Sequence, residues 1–83
     1  MVHWQEFDPS DIEYDFDADE LARHRVTYNE AVQCLFNDFL VRRDKVHFDR
    51  YRIFGTTDGG RRLLLIVQAK PGNVVRIITG WQR

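Results

Sequence analysis

Five consecutive apolar residues, Leu63-Leu64-Leu65-Ile66-Val67, most restrict what this chain can fold into. A strand that is apolar at every position is expected to be covered on both faces, so it belongs in the middle of a sheet with strands on either side. Turn chemistry brackets it. Thr57-Asp58-Gly59-Gly60 precedes it and Pro71-Gly72-Asn73 follows, each with the glycine that supplies positive φ in a tight hairpin.

The flanking segments supply the neighbours. In Arg50-Tyr51-Arg52-Ile53-Phe54 the alternation puts Tyr51 and Ile53 on one face and Arg50, Arg52 and Phe54 on the other. Val74 to Trp81 reads as the last strand. Simple alternation there groups Val75, Ile77, Thr79 and Trp81 against Val74, Arg76, Ile78 and Gly80. Phe39-Leu40-Val41-Arg42 reads as a fourth strand, entering an exposed hairpin loop over 43–49.

Helical signals lie ahead of these strands. Thr27-Tyr28-Asn29-Glu30 matches a capping box, in which the threonine hydroxyl and the glutamate carboxylate each accept from the other residue's backbone N–H. It opens the apolar stripe Tyr28, Ala31, Val32, Leu35 and Phe36, which fits one helical face packed on a sheet. Residues 17–25 read as a shorter helix with acidic residues at its start and Arg23, His24 and Arg25 at its end, the favourable order for the helix dipole. Before it, 1–8 read as irregular or a short edge strand, Asp8-Pro9-Ser10-Asp11 as a turn or helix start, and 12–16 as a brief strand or an acidic connection. The expected class is therefore α+β: two short N-terminal helices followed by a curled antiparallel sheet of about four strands.

With 83 residues, 1–83 is expected to be a single domain. No apolar run reaches the roughly 18 residues of a spanning helix, and the acidic start lacks the pattern of a secretory signal, so the expected location is cytoplasmic and no membrane is expected as a partner. One cysteine and three scattered histidines suggest neither a disulfide nor a metal site. A net charge of −1 argues against nucleic-acid binding by bulk positive charge. Acidic residues nevertheless crowd the first thirty positions and most arginines come later, which allows a basic surface on the C-terminal part.

Four short motifs, in order, carry a family resemblance. They are Arg23-His24-Arg25-Val26-Thr27 with Asn29-Glu30-Ala31 behind it, Asp49-Arg50 ahead of a strand ending in Gly55, Gly60-Arg61-Arg62-Leu63, and Arg76-Ile77-Ile78-Thr79. Over residues 16–80 the chain resembles the BrnT family of toxin-antitoxin ribonucleases. The family pattern has Gly where this chain has Arg25, and an Arg near the position of Trp81. The resemblance implies a RelE-like fold, metal-independent cleavage of messenger RNA, no cofactor, and a cognate antitoxin that binds the toxin and alone contacts operator DNA.

RNA cleavage without a metal needs a base for the 2′-hydroxyl, an acid for the leaving 5′-oxygen and positive charge at the phosphate. The candidates are His24 for proton transfer, Arg50 and Arg76 (with Arg52) as phosphate clamps, and Arg61 or Trp81 for nucleotide contact, Trp81 by stacking a base. Plainer roles stand beside these. His24 also fits a carbonyl cap at a helix end, Arg50 and Arg52 fit solvated sheet positions, Arg61 a hairpin charge, and Trp81 a cover over a core edge. Arg76 lies between apolar neighbours, where a charge needs a partner or a ligand. Two other outcomes remain open: a non-catalytic relative that keeps the fold as a partner-binding module, and a homo-oligomer joined through an exposed sheet edge.

Overall fold

A computed structural model of the chain describes residues 1–83. The chain is α+β, with five strands rather than about four, and the sheet is mixed rather than wholly antiparallel. In chain order a single 3-10 turn (Trp4–Glu6) leads to β1 (Ile12–Tyr14), α1 (Glu20–Arg23), α2 (Tyr28–Phe36), β2 (Leu40–Arg43), β3 (Arg50–Thr56), β4 (Arg62–Lys70) and β5 (Val74–Gln82). The sheet runs β1-β5-β4-β3-β2, with β1 parallel to β5 and every other pair antiparallel. The fifth strand is the alternating 12–16 stretch, of which only Ile12–Tyr14 pair, opposite Val75–Ile77.

Local chemistry explains the helix boundaries. At α2 both halves of the capping box form: Glu30 N–H donates to Thr27 Oγ1 at 3.1 Å and Thr27 N–H donates to Glu30 Oε1 at 3.1 Å. α1 is shorter than the expected 17–25. Its first cap, Asp19, adopts φ 44°, and its carboxylate accepts from the Tyr14 hydroxyl at 2.6 Å instead of capping α1. Asp15 takes the backbone N–H groups of Asp17 and Ala18, so the chain before α1 forms a side-chain-held turn. Asp8 likewise binds Ser10, making that segment a turn and not a helix start.

Both helices and the N-terminal segment cover one face of the sheet. There Leu21, Val26, Ala31, Cys34 and Leu35 meet Tyr51, Ile53, Leu63, Leu65, Val67, Val75 and Ile77, all buried. Each large side chain in this layer contributes about 1.5–3 kcal/mol by leaving water. α2 sits close: a Cβ added to Gly55 would lie 2.7 Å from Cys34 Cβ, so only glycine lets helix and strand approach this far. The N-terminus closes one end of the core through buried Val2, whose N–H donates to the Tyr51 hydroxyl, and through Trp4, packed edge-on against Tyr51 and Phe39. Asn73 pins the same segment by bonding both backbone groups of His3.

β4 takes the expected middle place, but only one of its faces is fully buried. Leu63, Leu65 and Val67 point into the core, while Leu64 and Ile66 are half-buried on a face against which neither helix packs. A second correction concerns β5. Ile66 pairs with Thr79 and Val67 with Ile77, which leaves Ile78 as an extra residue, a β-bulge. Beyond it the alternation reverses. Gly80 turns inward, where a Cβ would meet Leu65 Cδ2 at 2.6 Å, and Thr79 and Trp81 turn to the open face instead of sharing a side with Val75 and Ile77.

Candidate nucleic-acid interface

The register places the open face in rows across the strands. One row runs Glu13, Arg76, Gln68, Arg50; the next Thr79, Ile66, Arg52, Arg42; the third Trp81, Leu64, Phe54, Leu40. Neighbouring strands lie about 4.8 Å apart and successive rows about 7 Å apart. Four of the six expected site residues, Arg50, Arg52, Arg76 and Trp81, thus share one surface. The bulge at Ile78 is what brings Trp81 onto it.

The arginines differ in how they are held. Arg76 faces two carboxylates at the limit of ion pairing, Glu13 Oε1 at 3.9 Å and Asp15 Oδ2 at 4.0 Å. With more than a third of these side chains exposed, such pairs contribute little. Arg50 and Arg52 have no carboxylate within ion-pair distance, and the Nε of each is buried without a hydrogen-bond partner. Asp44 and Asp49, the nearby acids of the β2–β3 loop, are engaged elsewhere. Asp44 accepts from the His47 and Val46 N–H groups, which hold its carboxyl below the usual range, and Asp49 accepts from Gln68 at 2.8 Å with the same effect; beyond ion-pair distance, the charge of Arg52 adds to the lowering at Asp44 and that of Arg50 at Asp49.

Arg61 lies off this face. Its guanidinium donates to Glu30 at 2.9 Å, to the Arg25 carbonyl at 2.9 Å and to Gln82 at 3.0 Å, joining the β3–β4 turn to α2 and the end of β5. His24 follows α1, and its ring stands 5.8 Å from that of Trp81, beside β5 where β1 no longer pairs. Trp81 and Arg76 lie two rows apart, about 14 Å, and the Trp81 backbone is about 12 Å from that of Arg52 across the sheet. His24 therefore adjoins the aromatic end of the face rather than the arginine rows.

Two residues of this surface escaped sequence reasoning. Arg42 stands opposite Arg52, and the Arg83 guanidinium covers the Phe54 ring at 5.2 Å from its centroid. The β2–β3 register is set through the loop 44–49, which has neither Gly nor Pro to mark a tight turn, so no local signal announced the first pairing. No three His, Cys, Asp or Glu side chains converge into a metal-binding group, and no helix is long and apolar enough to cross a membrane. Comparison of the chain with protein-family models, with curated proteins and with solved structures returned no match.

Proposed function

We propose that the chain is the RNA-cleaving toxin of a type II toxin-antitoxin module, with a RelE-like fold, and that it takes RNA on the open face of its sheet. The gathering of Arg50, Arg52, Arg76 and Trp81 on that face carries the reading. Guanidinium groups suit phosphates and an indole suits a base, so the surface offers both contacts that single-stranded RNA requires. Arg25 adds support. It adopts φ 58°, the left-handed region that favours glycine, at the position where the BrnT pattern has Gly.

In this reading Trp81 stacks a base and His24 works on the adjoining phosphate. A neutral His24 imidazole removes the 2′-hydroxyl proton, the 2′-oxygen bonds to phosphorus, and the 5′-oxygen leaves with a proton returned by the imidazolium. The arginines hold neighbouring phosphates and stabilise charge on the strand. A cognate antitoxin is the expected partner, with operator DNA reached only through it.

The distance between His24 and the arginine rows favours a second reading, a non-catalytic relative that binds RNA or an antitoxin without cutting. Growth after tightly controlled expression separates the two, with folded and equally abundant wild type, Arg76→Ala and His24→Ala compared. Arrest by wild type that both substitutions relieve supports the ribonuclease. Arrest relieved by Arg76→Ala alone removes His24 from the chemistry, and harmless wild type moves the assignment to the binding module.

A further inference from the structure

Arg42 and Arg52 face each other directly across β2 and β3, and both project onto the open face. Cross-strand neighbours have Cβ atoms about 5 Å apart, and like charges placed so destabilise a sheet. Neither guanidinium has a carboxylate within ion-pair distance. Arg42 reaches only its neighbour's carbonyl, Val41 O, at 3.3 Å, and Arg52 keeps a buried Nε with no hydrogen-bond partner. Arg50, one row away on β3, shares that buried, unpartnered state.

From this we infer that Arg42 and Arg52 form a two-arginine site for one phosphate of single-stranded RNA. The inference rests on the RNA-binding reading above and adds a residue to it. A phosphodiester between the two groups converts a repulsive pair into two charge-assisted hydrogen-bonding forks on one anion. Arg76 has carboxylates closer to it, Glu13 and Asp15 at 3.9 and 4.0 Å, whereas Arg52 meets the charge of Asp44 only beyond ion-pair distance. The row beyond the pair is apolar and aromatic (Trp81, Leu64, Phe54, Leu40), with the Arg83 guanidinium over Phe54, and lies about 7 Å along the strands. That juxtaposition selects an unpaired strand, whose bases can splay onto such a row, over a duplex, whose bases stay stacked inside.

The test is equilibrium binding of a short fluorescent RNA with 2′-O-methyl riboses, which cannot be cut, measured by anisotropy over a range of salt. Arg42→Ala and Arg52→Ala should each weaken binding about tenfold and lower the slope of log affinity against log salt by about 0.7. Since both hold one phosphate, the double variant should lose less than the sum of the two. Arg42→Lys should keep the salt slope, and Arg23→Ala, which removes an exposed charge on α1, should leave affinity unchanged. Wild-type affinity and slope in folded Arg42→Ala overturn the inference and leave the RNA reading standing. A wild-type protein that binds no RNA overturns both. If inorganic phosphate binds in an Arg42-dependent way while RNA does not, the ligand is a free anion and the RNA assignment falls.

Discussion

The Arg61 guanidinium meets the Glu30 carboxylate at 2.9 Å across 31 positions of sequence, so the hairpin between β3 and β4 is tied to the first turn of α2. Both side chains are about one quarter exposed, and Glu30 serves two structures at once, completing the capping box and receiving the arginine. Arg61→Ala should cost about 1–2 kcal/mol, measured by urea unfolding, because the contacts to Glu30, the Arg25 carbonyl and Gln82 go together. RNA affinity in the same variant should be unchanged while it is folded. A loss of affinity without a loss of stability would assign Arg61 to the RNA surface.

Acid should act on the same junction. The Glu30 carboxyl is held below its ordinary value of 4.5, chiefly by the Thr27 N–H and then by Arg61. The unfolded chain takes up that proton more readily than the folded one. The contribution to stability is therefore complete above about pH 4.5 and declines as pH falls through the lower folded value. Asp8, Asp44 and Asp49, also depressed by hydrogen bonds, act in the same direction. Stability followed from neutral pH into the acid range should drop in this window, and Glu30→Gln should show a shallower drop from a lower starting point. An equally steep drop in Glu30→Gln would place the acid sensitivity elsewhere.

Arg25 provides a test by gain. At φ 58° its backbone carries strain of about 1 kcal/mol that glycine would relieve, partly offset by the greater freedom glycine gives the unfolded chain. Arg25→Gly should raise stability by at most about 0.5 kcal/mol, seen as a slightly higher melting temperature, since the carbonyl that Arg61 uses is kept. A destabilised Arg25→Gly would show that the Arg25 side chain contributes more than its backbone costs.

Of the apolar stripe expected on α2, Ala31 and Leu35 are buried, but Phe36 is exposed and Cys34 packs against the sheet instead. The capping box, the turns at Gly60 and Gly72 and the place of β4 in mid-sheet were all legible in the sequence. Each depends on residues within a few positions of one another, so backbone sterics and short hydrogen bonds decide them. The site was legible only in its ingredients. Which face Trp81 joins follows from the bulge at Ile78, where Gly80 turns inward against Leu21 and Leu65. That Arg42 opposes Arg52, and that Glu13 reaches Arg76, follows from strand register across a loop and from a parallel pairing over more than sixty positions. These are non-local choices. They are set by which side chains fit under the helices, and a single extra residue in one strand reverses every later side chain, so only the tertiary structure decided what this face carries.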